Sequence, residues 1–261
     1  MSSACTLLVG MSDPKPCAMS SKLTRLFVAA PLVSRGELAL DPAQAHYLIN
    51  VMRCKAGDEV LVFNGIDGEW RANLAASGRK SAKLNIGKQE RPQTEGPDLH
   101  YLFAPLKRAR LDYMVQKVTE LGVSRLRPVL TRRTMAERIN ETRLRANAIE
   151  AAEQCGILRV PEIEAPEKLS KLLETWDQDR LLIFADEQAP TASPLAGLAA
   201  QRRGPLAVLI GPEGGFEADE RALLLKQTFV VPISLGPRIM RADTAAVAAL
   251  SLVNAVLGDW R

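Results

Sequence analysis

The spacing of hydrophobic residues changes about one third of the way along the chain. From Leu23 to Lys88, apolar residues come in short runs separated by glycines and other turn residues, which is typical of β-strands. Residues 63–70, FNGIDGEW, predict a hairpin turn between two of these strands. DPAQAHYLINVMR predicts one helix, with Asp41 as its cap and Pro42 in its first turn. We expect a small, barrel-like β module of about 70 residues.

The second part of the chain alternates strands with helices. A polar segment with two prolines, residues 91–98, is the predicted linker between the two parts. The first helix after it carries Leu111, Met114 and Val118 on one face and ends at Gly122. Apolar strands that alternate with helices predict an α/β fold with a parallel sheet covered on both faces. The predicted strands are LHYLFAPL, RLRPVL, RLLIFAD, PLAVLIG and FVVPISLG.

Composition narrows the class of protein. The chain has 261 residues, of which 47% are hydrophobic and 25% charged, as in folded globular proteins, and no run reaches the roughly 20 apolar residues of a membrane span. Four cysteines without a CxxC pair and only two histidines disfavour a metal site or a disulfide framework. We therefore expect a cytoplasmic protein without a metal. Residues 1–21 are rich in serine and small residues, so we expect a disordered tail or an over-extended start there.

Positive charge is concentrated in the middle of the chain. Residues 99–145 contain 11 Lys and Arg against 4 Asp and Glu, whereas the net charge of the whole chain is only +4. This distribution indicates a surface that faces a polyanion such as RNA. A solvated arginine-rich face with no partner would have the same composition.

Two glycine–proline loops that follow predicted strands form the candidate site. Ligands of open parallel sheets bind beyond the carboxyl ends of the strands. In LIGPEGGFEADE, residues 209–220, three glycines allow positive φ and close approach of a ligand. In LGPRIMRADTAAVAAL, residues 235–250, a Gly-Pro bend precedes Arg238 and Arg241. A tight turn without a ligand, or arginines that only pair with nearby carboxylates, would produce the same patterns.

The last predicted helix is apolar on nearly every side. Asp243 or Thr244 is placed to cap it, and alanine, valine and leucine fill most positions from Ala245 to Leu257. A helix that is apolar all round must be buried all round. We expect one face to cover the sheet and the other to meet a second subunit, which makes the protein a homodimer through its C-terminal helix region.

The two loops together resemble the signature of the SPOUT class of methyltransferases, and more closely still its RsmE family. The resemblance is carried by HYLINVMRCKAGDEV, PLKRARLDYMVQKVTELGVSRLRPVLTRRT, EAAEQCG and the two loops, in this order from His46 to Leu250. Two positions depart from the family pattern. Asp243 stands where the family usually has Glu, and Ile157 stands where a basic residue is usual, with Arg159 two residues on.

The resemblance implies a fold and a cofactor. The implied fold is an α/β SPOUT domain, residues 99–261, whose parallel sheet ends in a deep trefoil knot. A small PUA-like RNA-binding β-barrel, residues 22–90, precedes it. S-adenosylmethionine would lie bent in the knot. The residues implied to bind it are Leu209, Ile210, Gly211, Gly214, Gly215, Leu235, Gly236, Ile239, Met240, Arg241 and Thr244.

The implied activity is methylation of N3 of a specific uridine in 16S ribosomal RNA, so ribosomal RNA or the small ribosomal subunit is the expected partner. Uridine N3 carries a proton at neutral pH, and a guanidinium near the uracil carbonyls would favour its anion. Arg241 is the candidate for this role, with Arg238 and Glu213 as catalytic partners. The candidate RNA-binding residues are Arg25, Arg53, Lys107, Arg108, Arg110, Arg132 and Arg133, although Arg132 and Arg133 could instead be a solvated pair.

Two other functions remain open at this point. The chain could be a SPOUT methyltransferase that acts on another RNA or on a ribose 2′-oxygen. It could also be a ribosome-assembly factor that binds RNA without catalysis. Binding of S-adenosylmethionine separates the second possibility from the enzymes, and the position of the methyl group separates the enzymes from each other.

Overall fold

The computed structural model describes residues 23–77, 81–135, 139–190 and 193–260. The predicted tail, residues 1–21, lies outside the described residues. The described part of the chain forms two sheets, one from each of the two parts that the hydrophobic spacing distinguishes.

The first sheet has five strands in the order β1-β3-β4-β5-β2. Pro42–His46 forms helix α1, continued by a π-helical turn at Tyr47–Val51, and Asp41 caps it as predicted by accepting a hydrogen bond from the backbone N–H of Gln44. The barrel expected from the resemblance is seen as a sheet whose edge strands β1 and β2 are not paired with each other. The strands are β1 (Arg25–Phe27), β2 (Glu37–Ala39), β3 (Glu59–Phe63), β4 (Glu69–Ser77) and β5 (Ala82–Arg91).

The predicted hairpin joins β3 to β4, which are antiparallel. The Asn64 side chain accepts hydrogen bonds from the backbone N–H groups of Ile66 and Asp67, which closes the turn. Gly68 has φ of +80°, and a Cβ there would lie 2.3 Å from the carbonyl oxygen of Arg91. The turn and the neighbouring strand therefore require glycine at this position.

The second sheet is parallel, and its strands follow the order β12-β10-β11-β6-β7-β8, with β9 also paired to β7. This confirms the predicted α/β fold with a parallel sheet. The short strands β8 and β9 and the helix after them were not predicted. The strands are β6 (Leu99–Phe103), β7 (Arg125–Leu130), β8 (Glu162–Ile163), β9 (Glu167–Lys168), β10 (Leu181–Ala185), β11 (Leu206–Ile210) and β12 (Val230–Ile233).

Helices cover both faces of this sheet. Alternate residues of β11 face opposite sides: Val208 packs in the apolar cluster that includes the last helix, and Leu209 packs in the cluster on the other face. Gly122 ends α2 as predicted, and Gly156 ends α3 in the same way, both with positive φ. The helices are α2 (Arg108–Glu120), α3 (Glu141–Cys155), α4 (Leu169–Glu174), α5 (Pro194–Ala199), α6 (Ala218–Leu225) and α7 (Ala242–Val256).

Two arginines join the first sheet to the carboxyl end of α3. The Arg25 Nε donates to Glu69 Oε1 at 2.6 Å, and its terminal nitrogens donate to carbonyl oxygens of the last turn of α3 and to that of Ile157. Arg91 donates to the other Glu69 oxygen at 2.8 Å and to the carbonyl of Gly156 at 2.9 Å. Cations are favoured at this end of a helix because its last carbonyls are unpaired. Burial alone would raise the pKa of Glu69, but hydrogen bonds from the two guanidinium groups hold that pKa below its ordinary value.

His100 is a buried titratable group near the amino end of β6. It therefore lies at the opposite end of the parallel strands from the carboxyl ends of β10, β11 and β12. Its Nε2 lies 3.4 Å from Asp98 Oδ1, and its Nδ1 has no hydrogen-bond partner among the described residues. Burial, reinforced by the charge of Arg180, lowers the pKa of His100 from 6.5 to about 3. The folded protein therefore holds this imidazole neutral.

We predict that stability falls between pH 7 and pH 5 because of His100. In this window the unfolded imidazole takes up a proton and the folded one, with a pKa of about 3, does not. The free energy of unfolding should fall by about 2 kcal/mol through this group, because pH 5 lies about 1.5 pH units below the pKa of the unfolded imidazole. Asp98, whose pKa Arg180 holds below its usual value, titrates below the window.

Urea unfolding of the wild type and of His100→Gln at pH 7 and pH 5 measures this effect. The drop should be larger in the wild type than in the variant, whatever the stability of the variant at pH 7. Equal drops in the two proteins would contradict the assignment.

Candidate functional site

Three loops that leave the carboxyl ends of β10, β11 and β12 enclose a cavity of about 570 Å³. Because the three strands are parallel neighbours of one sheet, their carboxyl ends meet at the same edge. Residues 185–188, 210–213, 215–216 and 234–241 contribute the walls, and Ala242 and Ala245 of α7 close one side. The volume lies within the roughly 300–1,000 Å³ of small-molecule sites.

The loop after β11 is shaped by contacts at two of its glycines. A Cβ on Gly211 would lie 2.5 Å from the ring of Phe216, and that ring in turn packs edge-on against Phe184. Gly215 has φ of +71°, and a Cβ there would lie 2.7 Å from a carboxylate oxygen of Glu187. Gly211 therefore lets the loop fold back on itself, and Gly215 lets it approach the loop after β10, through close contacts that side chains would prevent.

The same loop ends at a capped helix. Glu217 is the N-cap of α6 and forms a capping box with Glu220. Arg133 Nε donates to Glu217 Oε1 at 2.8 Å, and this hydrogen bond lowers the pKa of Glu217. The carboxylate is therefore held ionised at the positive end of the helix.

The loop after β12 brings two arginines to the cavity. Gly236 has φ of +101°, and nothing lies within 4 Å of the position that a Cβ would take. Arg238 and Arg241 line the cavity and are exposed. The prediction that Asp243 or Thr244 caps α7 is wrong. The helix begins at Ala242, so its N-cap is Arg241, two residues before Asp243, and it has no side-chain cap. The Asp243 carboxylate accepts from the N–H of Thr244.

The loop after β10 contributes residues that the sequence reasoning missed. Asp186 is buried and accepts hydrogen bonds from two nitrogens of Arg221, at 2.8–3.1 Å. Its Oδ1 also accepts from the N–H of Gln188, which fixes the start of the loop. Glu187, beside it, lines the cavity and lies against Gly215. The signal available in the sequence was the run Asp-Glu-Gln directly after a buried strand.

Most of the predicted cofactor residues lie together around the cavity. Eight line it: Ile210, Gly211, Gly215, Leu235, Gly236, Ile239, Met240 and Arg241. Leu209, Gly214 and Thr244 are not among its lining residues; Leu209 is buried in the sheet, and Gly214 faces Arg133. The three predicted catalytic residues, Arg241, Arg238 and Glu213, all line the cavity.

The predicted RNA-binding residues divide into two groups. Lys107, Arg108 and Arg53 are exposed. Four arginines are engaged by acceptors of the protein itself. Arg25 is held at the junction with α3, Arg110 pairs with Glu213, Arg132 with Asp219 at 2.5 Å and Arg133 with Glu217 at 2.8 Å. Arg132 and Arg133 are both exposed, and each also has a carboxylate partner.

The described residues contain neither a metal-ligand cluster nor a membrane-spanning helix. No group of three or more His, Cys, Asp or Glu side chains among them is arranged to hold a metal ion. In the same ranges, no helix has the length and apolar character needed to cross a membrane.

Comparison with known proteins identifies the family. A model described as an RNA methyltransferase domain matches residues 94–254, and one described as an RNA methyltransferase PUA domain matches residues 40–87. A relative from Rickettsia conorii named ribosomal RNA small subunit methyltransferase E is 31% identical over 237 residues, which are 89% of this chain and 96% of the relative. The chain belongs to this methyltransferase family. The predicted RsmE resemblance is thereby confirmed.

Solved structures show the same fold. A methyltransferase from Legionella pneumophila, solved with the bound cofactor SAM, is 29% identical with a TM-score of 0.80 over 91% of this chain and 99% of that one. The ribosomal RNA small subunit methyltransferase E of Neisseria gonorrhoeae, bound to S-adenosyl methionine, has a TM-score of 0.82 over 92% of this chain. That second protein is 23% identical, so the likeness concerns the fold alone.

Proposed function

We propose that this chain transfers the methyl group of S-adenosylmethionine to N3 of one uridine in small-subunit ribosomal RNA. The observation that carries the proposal is the cavity between the loops after β10, β11 and β12, in a chain of the ribosomal RNA small subunit methyltransferase E family. S-adenosylmethionine supplies a methyl group already activated by its sulfonium. The protein must therefore bind this cofactor, orient uracil beside it and favour the uracil anion.

The residues around the cavity fit such a cofactor. Gly236 leaves open space where any other residue would place a Cβ, and Gly211 and Gly215 bring backbone to the cavity wall. S-adenosylmethionine carries positive charge on its sulfonium and its ammonium group. Of the carboxylates that line the cavity, Asp186 and Glu213 are each paired with an arginine, whereas Glu187 has no ion-pair partner within 4 Å among the described residues. Glu187 is therefore available to the cation.

Arg241 is our candidate for stabilising the uracil anion, with Arg238 beside it. Both guanidinium groups line the cavity and have no carboxylate within 4 Å among the described residues, so their charge is not already neutralised by the protein. A cation near the uracil carbonyls lowers the pKa of N3 because it favours the charged form. Glu213 lines the same cavity, but its pair with Arg110 makes it the weaker candidate for accepting the proton.

We propose a smaller RNA surface than the sequence alone suggested. Lys107 and Arg108, at the start of α2, and Arg53, between the π-helical turn and β3, are exposed cations, and they lie in different parts of the chain. Phosphates would bind to such cations and release their counterions. Arg25, Arg110, Arg132 and Arg133 are left out, because RNA would have to displace the carboxylates or carbonyls that they already contact.

Further features belong to the same proposal. We divide the chain into an RNA-binding domain over 22–90, a linker over 91–98 and a methyltransferase domain over 99–261, which the two separate family matches support.

We propose a trefoil knot around the loops of the cavity, because β12 lies beyond β10 and the chain then returns to pack α7 against α2 and α5. The half-buried apolar residues Val247, Leu252 and Val256 of α7 support a homodimer. We assign the reaction to the cytoplasm.

The proposed reaction predicts the position of the methyl group. Purified protein, S-adenosylmethionine and small ribosomal subunits isolated from cells that lack this enzyme should yield one additional methyl group per subunit. Nuclease digestion and mass spectrometry should locate it on a uracil base as 3-methyluridine. A methyl group on a ribose, or on transfer RNA only, would support the other SPOUT activities. RNA binding without cofactor binding would support an assembly factor.

We predict that Gly236→Ala weakens cofactor binding. The alanine must adopt φ near +101° or change the loop, and its methyl group enters the open space beside the cavity. The matched control is Gly57→Ala in the turn before β3, where φ is +94° and nothing lies within 4 Å of the new Cβ either. Calorimetry should show a rise of tenfold or more in the Kd for S-adenosylmethionine for Gly236→Ala only, from the loss of about 1.4 kcal/mol. Equal affinities in the two variants would remove Gly236 from the cofactor site.

We predict that Arg241→Gln lowers kcat by about 10²–10³, the usual effect of losing a group that stabilises developing charge. Without the guanidinium, the rate should depend more steeply on pH, because more of the uracil must ionise unaided. Arg203→Gln is the matched control, since Arg203 is an exposed arginine in the turn before β11, at the other end of that strand. Single-turnover rates across pH decide the point: a change in KM for RNA alone would make Arg241 a binding residue instead.

A further inference from the structure

The segment that follows β7 contacts the loop after β11, called the cofactor loop below, on the side away from the cavity. Thr131 and Thr134 close this segment into a turn: the N–H of Thr131 donates to Thr134 Oγ1 at 2.8 Å, and the N–H of Thr134 donates to the carbonyl of Thr131 at 3.1 Å. The turn presents Arg132 and Arg133 side by side. These two hydrogen bonds hold the turn in shape without any contact from the two arginine side chains.

Arg133 makes two hydrogen bonds to the loop after β11. Its Nη1 donates to the carbonyl oxygen of Gly214 at 2.6 Å, and its Nε donates to Glu217 Oε1 at 2.8 Å. A Cβ on Gly214 would lie 3.4 Å from Cδ of Arg133, so the aliphatic part of the arginine also lies against the loop. One planar guanidinium thus spans the loop from its glycine bend to its helix cap.

Arg132 holds the beginning of the same helix. Its backbone N–H donates to Glu220 Oε1 at 2.9 Å, and its guanidinium lies 2.5 Å from Asp219 Oδ2. Glu220 also accepts from the N–H of Glu217 in the capping box. The turn after β7 and the first turn of α6 are consequently connected through backbone as well as side chains.

These contacts adjoin the cavity wall without entering the cavity. Gly215, the residue after Gly214, lines the cavity, lies against Glu187 and donates its N–H to the carbonyl of Pro212 at 2.9 Å. Arg133 is not a lining residue. Its hydrogen bond to the carbonyl of Gly214 orients the peptide group between Gly214 and Gly215. It therefore sets the position of Gly215 on the wall.

We infer that Arg133 is a positioning residue for the cofactor loop and not a contact to RNA. The inference rests on the proposed function, because it takes S-adenosylmethionine as the ligand of the cavity. Removal of the guanidinium frees the Gly214 carbonyl and leaves Glu217 without its cation. The loop then spends less time in the shape that binds the cofactor, while the exposed cations of the RNA surface are unchanged.

The test compares Arg133→Gln with Arg133→Lys and Arg143→Gln. Arg143→Gln is the matched control: it removes a similarly exposed arginine from its pair with Asp112 of α2, which does not touch the cofactor loop. Calorimetry should show about a tenfold weaker Kd for S-adenosylmethionine in Arg133→Gln, as expected for the loss of a charge-assisted hydrogen bond. Arg133→Lys should bind with intermediate affinity, because an ammonium keeps the charge beside Glu217 but cannot span both acceptors. In kinetics, KM for S-adenosylmethionine should rise and KM for RNA should stay the same.

The outcomes separate this inference from the proposed function. If the wild type does not bind S-adenosylmethionine, the proposed function fails and this inference fails with it. If the wild type binds and Arg133→Gln binds equally well, only the inference fails. Loss of RNA affinity with unchanged cofactor affinity would restore Arg133 as an RNA contact. Glu217→Gln removes the same pair from the other side and should weaken cofactor binding as well, which covers the case in which Arg133→Gln does not fold.

Discussion

The parallel pairing of β10, β11 and β12 is the constraint on which the rest of the structure depends. β11 is buried along its whole length and β10 along most of it, with helices over both faces. Polar chemistry can therefore be placed only where the chain leaves the sheet. Because the three strands run the same way, their exits lie side by side, and three loops distant in sequence share one cavity.

Arginine side chains hold two of the loops around this cavity in place. Arg221 holds the buried Asp186 after β10, and Arg110 and Arg133 hold the loop after β11. Total charge is therefore a poor guide to the surface that RNA would meet. The exposed pairs contribute little to overall stability, typically about 0–1 kcal/mol each, so their effect is on local geometry.

The fold could be predicted from the sequence largely because its signals are local. Glycines with positive φ, such as Gly122 and Gly156, end helices within a few residues of the apolar pattern they interrupt. The cap of α7 could not be placed correctly, because Arg241, Asp243 and Thr244 compete within one turn and only the course of the loop decides among them. The partners of Arg133 could not be predicted from the sequence, because Glu217 lies 84 residues away along the chain. Asp186 was missed for the same reason: its partner Arg221 is on a different element.

The junction at Glu69 has a consequence for how a large substrate is selected. Arg25 and Arg91 hold the end of α3 directly, so the linker is not what determines the spacing between the first sheet and the cavity. The two parts of the chain are therefore held at a fixed separation. Under the proposed function, an RNA bound to the first part would present to the cavity only a nucleotide at a set distance and angle from that contact. Selection of a single base can thus come from the shape of a folded RNA, with few contacts to its sequence.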